Sequence, residues 1–168
     1  SQLPYGGAGT YPMSEVQIDR FMLRAWSAYP EQEEEKQIVE KTDYREEVKI
    51  HPAVTLQEIL QIRQLVKEIH ISEKVKNYII ALIEHVRQNP DVLIGPSPRA
   101  SIALYKGSRV MAFLQERDFV IPDDVKRLFL PAVEHRIRIK PEAEMEDVTH
   151  RAIIERALEE VTVPKEPS

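Results

Sequence analysis

The chain has 168 residues, Lys+Arg 23 against Asp+Glu 28 for a formal net charge of −5, and no cysteine. That length suits one domain, or one domain with an appendage, and the negative balance leaves no overall field to attract nucleic acid. Without cysteine there is no disulfide scaffold, thiolate zinc site, iron–sulfur cluster or cysteine nucleophile.

Residues 1–12 are a glycine- and proline-rich coil. Ser14-Glu15-Val16-Gln17 reads as a capping box, in which serine hydroxyl and glutamine amide satisfy each other's backbone donors, and predicts a short helix to about Arg20. Phe21 to Tyr29 is apolar on both alternating faces except for Arg24 and Ser27, and predicts a buried strand. Its ladder partners are absent from the sequence, so the segment is expected to fray, pair with another copy or pack back on the rest of the chain.

Pro30 punctuates the chain, and the acidic run Glu31, Glu33, Glu34 and Glu35 suits the positive first turn of a helix to about Lys41. A polar stretch, Thr42 to Pro52, leads to a second capping box at Thr55-Leu56-Gln57-Glu58, followed by Ile59, Ile62, Val66 and Ile69 at helical spacing. Ser72 caps the next helix, with Val75, Tyr78, Ile79, Leu82, Ile83 and Val86 at steps of three and four, ending at Asn89-Pro90. Ser97-Pro98 then places a capping hydroxyl before a proline at the first helical position. The stripe that follows, Ala100, Ala103, Leu104, Gly107, Val110, Met111 and Leu114, is small in its first half and lets a neighbouring helix come close. Pro122-Asp123-Asp124 opens a helix that Pro131 should kink. A last helix is expected over about 144–161, and the tail 164–168 is too polar and proline-rich to fold. The fold class is therefore mainly α: a helical bundle with a short N-terminal helix-strand piece.

Glycine is scarce, 5 in all with three in the first ten residues, and neither G-x-x-x-x-G-K-[ST], G-x-G-x-x-G, H-E-x-x-H nor G-x-S-x-G occurs. No apolar run approaches the ~20 residues of a membrane span, and the N-terminus lacks a signal-peptide pattern, so a soluble, cytoplasmic chain without a membrane partner is expected. His51, His70, His85, His135 and His150 show no i, i+3 or i, i+4 pairing and read as surface or partly packed side chains, with no metal site. Basic residues of the second half are interspersed with acidic ones, which makes nucleic acid a minor possibility.

Two arginines remain. Arg99, in the first turn of its helix, opposes the macrodipole unless an anion is present. There its guanidinium and the free backbone donors can converge on a phosphate; a solvent-facing arginine tolerating a small penalty is the alternative. Arg20 closes the first helix, where a cation agrees with the dipole. It reads either as such a cap or as an arginine finger aimed at a transferring phosphoryl group.

Residues Gly9-Thr10-Tyr11-Pro12-Met13-Ser14-Glu15-Val16-Gln17-Ile18-Asp19-Arg20-Phe21 resemble the segment GTYPLPEAQLDRF of the MoxR family of AAA+ ATPases. Gly95-Pro96-Ser97-Pro98-Arg99-Ala100 is similar to that family's G-x-S-P-R-A. Arg117-Asp118-Phe119-Val120-Ile121-Pro122-Asp123-Asp124-Val125 is similar to its R-D-Y-V-x-P-x-D-V, and His135-Arg136-Ile137 to its H-R-I/L. The wording of the first two matches separates the chain from the related magnesium-chelatase ATPase subunit, whose lid is alike.

The resemblance implies that residues 1–30 are the end of the ATPase core, 31–163 the helical lid and 164–168 a disordered tail. It implies that Arg20 is the arginine finger acting in trans, and that Arg99 is the sensor-2 arginine, carried with Ser97 and Pro98 at the nucleotide. It further implies a homo-oligomeric ring, usually a hexamer, with chaperone-like work on partner complexes, often von Willebrand A domain proteins. ATP and Mg2+ are implied for a parent protein, because the Walker A and Walker B segments and the sensor-1 neighbourhood do not occur in this sequence. The chain is thus expected to be a C-terminal piece that alone neither holds ATP tightly nor hydrolyses it. A free-standing helical interaction module without ATPase activity is the alternative.

Overall fold

The computed structural model describes residues 13–42 and 51–165. The opening coil, most of the polar stretch before Thr55 and the last three residues of the tail lie outside the described residues. By packing, the chain divides into two compact units, one of residues up to 24 with those from 66 onward, the other of residues 25–65.

The smaller unit contains α2 (Gln32–Glu40) and most of α3 (Leu56–Glu68). The Glu31 N–H donates to Glu34 Oε2 at 3.0 Å, closing the first turn of α2. At α3 the expected capping box is formed: the Thr55 N–H donates to Glu58 Oε2 at 2.6 Å and the Glu58 N–H to Thr55 Oγ1 at 3.2 Å. The apolar stripe of α3 is another matter. No residue of this helix is buried, and of the four stripe positions only Ile69, beyond its end, reaches the core.

The larger unit is a helical bundle, as the apolar spacing predicts. It begins with α1 (Glu15–Ile18) and continues through α4 (Glu73–Gln88), α5 (Pro98–Leu114), α6 (Pro122–Val133), α7 (Pro141–Met145) and α8 (His150–Glu160). Its core joins Val75, Leu82, Ile83 and Val86 of α4 to Leu104 of α5, Val125 and Phe129 of α6 and Ile154 of α8, all almost wholly shielded from solvent. Ser72 accepts the Val75 N–H at 3.3 Å and Thr149 the Ala152 N–H at 3.1 Å, so both helices start on a side-chain cap. The small residues of α5 lie against α6, where a Cβ on Gly107 would stand 2.7 Å from Leu128 Cδ1.

Three expectations need correction. The strand over Phe21–Tyr29 does not form: residues 21–30 have no regular secondary structure, and Phe21, Trp26 and Tyr29 are exposed. A strand needs a ladder, and the Arg24 N–H donating to Pro131 O at 2.8 Å is one backbone-to-backbone bond and not a ladder. Second, the chain after Pro30 is not wholly helical. Val92–Ile94 (β1) pairs antiparallel with Arg138–Ile139 (β2), placing Val92 opposite Ile139; two or three residues are too few to show an alternating pattern in sequence. Third, the last helix is split. Asp147 sits at φ 60°, in the left-handed region, and the Val148 N–H returns to Ala143 O at 3.0 Å, ending α7 before α8 begins. Pro131 is accommodated within α6, which continues to Val133 before a 3-10 turn, Glu134–Arg136.

Candidate functional site

The site is assembled from three chain ends that meet in the larger unit: the exit of α1, the entrance of α5 and the 3-10 turn after α6. Ser14 and Gln17 form the expected capping box, with the Ser14 N–H donating to Gln17 Oε1 at 2.8 Å. The helix they cap is a single turn, so Asp19 and Arg20 leave it immediately. At α5, the chain turns through Gly95-Pro96 against α4. A Cβ on Gly95 would meet Arg87 Cγ at 2.8 Å and Arg87 Cα at 3.1 Å, so this close approach requires glycine. Arg87 Nε donates to Pro96 O at 2.9 Å and holds the turn. Ser97 then caps α5, accepting the Arg99 N–H at 3.2 Å, with Pro98 at the first helical position.

These ends converge on one carboxylate. The Ser97 hydroxyl lies 2.8 and 2.9 Å from the two oxygens of Asp19, Arg136 Nε donates to Asp19 Oδ1 at 3.1 Å, and Arg99 Nε lies 3.5 Å from Asp19 Oδ2. A cation in the first turn of α5 therefore has the anion that the macrodipole asks for, and it is supplied by the chain itself. The Arg99 side chain nonetheless keeps 55% of its surface exposed. Its partners Asp19 and Ser97 line a cleft of about 390 Å³ together with Glu15, His135, Arg136 and Arg138; Arg99 itself does not line it. Arg20 is exposed, and among the described residues no carboxylate is paired with it.

Arg136 is the buried member, its side chain only 2% exposed. Besides Asp19 Oδ1 it donates to Asp19 O at 3.0 Å, Phe21 O at 2.5 Å, Met22 O at 3.3 Å and, by a short contact, Ala132 O. Burial lowers its pKa from the ordinary guanidinium value, and the hydrogen bond and charge of Asp19 oppose that shift. Next to it, His135 Nε2 lies 3.0 Å from Phe21 O, a group that can only accept, so Nε2 carries the proton. Its Nδ1 is buried and finds no partner among the described residues. Burial is the main cause that lowers the imidazole pKa; the contact with Phe21 O opposes it, and Arg136 and Arg24 add to it.

Chemically, the arrangement offers the exposed Arg99 guanidinium to an anion, while the backbone donors at the start of α5 are already taken, Arg99 N–H by Ser97 Oγ and Ala100 N–H by Ser97 O at 3.0 Å. It has no nucleophile set against a base. Among the described residues no three His, Asp or Glu side chains are grouped to hold a metal ion, and no helix there is long and apolar enough to cross a membrane. The structure brings Ser97, Pro98 and Arg99 together at the entrance of α5, with Arg20 next in sequence to the carboxylate that binds them. Asp19 and Arg136 were not singled out as site residues from the sequence. They lie far apart along the chain, and the sequence hints at them only by placing Asp19 in the first match and Arg136 in the H-R-I match.

Fold and site together define a lid domain of the AAA type, and the family model described as the AAA lid domain matches residues 84–157. The chain is 32% identical over its whole length to the uncharacterized protein YeaC of Bacillus subtilis, covering 53% of it. It is 27% identical over 98% of its length to chaperone MoxR1 of Mycobacterium tuberculosis, covering 46% of that protein. A crystal structure of a candidate ATPase from Cytophaga hutchinsonii superposes with a TM-score of 0.88 at 32% identity, over 98% of this chain and 53% of that one. These matches agree with the resemblance of the chain to the C-terminal part of MoxR-family AAA+ ATPases. The chain spans about half the length of the curated relatives it matches.

Proposed function

We propose that the chain is the lid, with the adjoining end of the core over residues 1–30, of a MoxR-type ATPase that couples ATP hydrolysis to the maturation of partner protein complexes. In this reading Arg20 is the arginine finger reaching a neighbouring subunit's nucleotide in a homo-oligomeric, hexameric ring. Arg99, presented by Ser97 and Pro98, is the sensor-2 arginine on the phosphates of its own subunit. The work of both is electrostatic: guanidinium groups stabilise charge developing on the γ-phosphoryl oxygens.

One observation supports the reading above the others. Arg99 is held at the start of α5 by the Asp19 carboxylate 3.5 Å away, which itself lines a cleft, and keeps more than half of its side chain exposed. The donor set suits a phosphate and does not suit Mg2+, so the ion that accompanies ATP would be held by residues outside this chain. The Mycobacterium tuberculosis relative is named a chaperone, which agrees with a client-directed role; von Willebrand A domain clients and a cytoplasmic setting complete the proposal.

The test is steady-state hydrolysis by the full-length ATPase. Arg20→Ala is expected to lower turnover by roughly 10³-fold, the scale of an arginine finger, and Arg99→Ala to lower it while thermal stability is kept. Unchanged turnover in both variants would leave the chain a helical interaction module with no catalytic share.

A further inference from the structure

Arg136 spends every N–H it has on the segment around Arg20 and on its own helix. A guanidinium carries five N–H donors, and here they reach Asp19 Oδ1, Asp19 O, Phe21 O, Met22 O and Ala132 O. The backbone carbonyls engaged lie on both sides of Arg20, one before it and two after. The Arg20 side chain stays exposed. Secondary structure does little to hold the segment, since α1 is one turn long and residues 21–30 form no ladder. Its other ties to the bundle include His135 Nε2 to Phe21 O, the Arg24 N–H to Pro131 O, the ion pairs Arg24–Glu134 and Glu15–Arg138, and the contacts of Asp19 with Ser97 and Arg99. A guanidinium this deeply buried is tolerated only when its donors are satisfied, and those donors are satisfied chiefly by the chain that carries Arg20.

We propose that Arg136 is a positioning residue for Arg20: clamped on the carbonyls either side, it fixes where the exposed guanidinium points without touching the nucleotide itself. Because the Asp19 carboxylate joins Arg136 to Ser97 and Arg99, the clamp also ties the arginine acting in trans to the helix end that carries the arginine acting in cis. This rests on the reading of Arg20 as an arginine finger. A displacement of about 1 Å in a group that stabilises the transition state costs on the order of 100-fold in rate, so loss of the clamp should appear in kcat, whereas KM reports ground-state binding of the nucleotide.

The test uses the full-length ATPase assembled in its ring. Arg20→Ala is measured first, and unchanged turnover there overturns the finger reading itself, separately from the clamp. Given a loss with Arg20→Ala, Arg136→Met is expected to lower kcat by about 100-fold with KM for ATP within about threefold. Arg136→Lys, with three donors in place of five, should recover only part of it. Asp19→Asn leaves the carbonyl contacts in place and should lose less than Arg136→Met. The decisive measurement mixes Arg136→Met subunits with subunits whose P-loop lysine is replaced, which cannot hydrolyse ATP but present an intact finger. Activity per Arg136→Met subunit should rise in mixed rings, because each receives a correctly held Arg20 from its neighbour. A kcat within threefold of wild type, or a loss that mixing does not recover, overturns the proposal. Should Arg136→Met fail to assemble, Arg136→Lys is judged by the same two criteria.

Discussion

Single residues in this bundle are read through burial and what satisfies them. Asp124 illustrates the point: as a helix N-terminal charge it would be dispensable, but its side chain is 5% exposed and accepts from both terminal nitrogens of Arg117, at 2.9 and 2.6 Å, and from the Ile121 N–H at 2.9 Å. The charge is therefore part of a buried, fully paired network, the kind whose breaking costs far more than its presence contributes. His135 gives a testable pH dependence. Burial holds it neutral, with Arg136 and Arg24 disfavouring the imidazolium and Asp19 favouring it. The unfolded chain takes up a proton near pH ~6.5, so it binds more protons than the folded chain below that value, and stability must fall as pH drops through it. Urea unfolding of wild type and His135→Gln at pH 7.5 and 5.5 checks this. The variant should have the lower midpoint at the higher pH, and the gap should narrow at the lower one.

Among the elements, the contact between α5 and α6 shows how close packing selects residue size. Gly107 is buried at this contact, where an added Cβ would press on Leu128 Cδ1 at 2.7 Å and stand 3.7 Å from Met22 Cε. The first of these is the far end of a flexible side chain, able to move a few tenths of an ångström. Alanine also gains up to about 1 kcal/mol of helix propensity over glycine, so Gly107→Ala is expected to be close to neutral. Gly107→Val has no such margin and should cost ~1–3 kcal/mol by overpacking, read as a lower thermal midpoint. Caps, helix starts and the first half of the α5 stripe, Ala100 to Gly107, were legible in the sequence because each depends on neighbours within four positions; beyond it Ser108 and Ala112 are buried while Val110 and Leu114 are exposed. The fate of α3 was not. Its period was right, but a 3.6-residue period says which face is apolar and not whether another element covers it. The strand expected at 21–29 failed for the same reason. Alternation and length suit a ladder, but a ladder is made by partners elsewhere, and the start of this segment is instead tied by side chains more than 100 residues away, Arg136 on Phe21 O and Met22 O and His135 on Phe21 O.

Taken as a whole molecule, the chain has a well-filled helical unit and a charge site but no phosphate cradle in its sequence. The isolated 168-residue chain is therefore expected to show no ATP turnover and to bind labelled nucleotide at least ~100-fold more weakly than the full-length protein, since two guanidinium groups cannot replace a loop of backbone donors around the phosphates. A fluorescence titration of both would check this, and comparable affinity in the two would mean that the lid holds nucleotide by itself. By itself the sequence determined the mainly helical class, the helix starts at Ser14, Thr55, Ser72 and Ser97, the family resemblance and the candidacy of Arg20 and Arg99. These are carried by short-range backbone chemistry or by contiguous motifs. Only the tertiary structure decided that the 21–30 segment is irregular, that two short strands pair at 92–94 and 138–139, and that Asp19 and Arg136 tie the two arginines together. Each of these joins residues distant along the chain, where neither spacing nor composition carries any trace of which groups will meet.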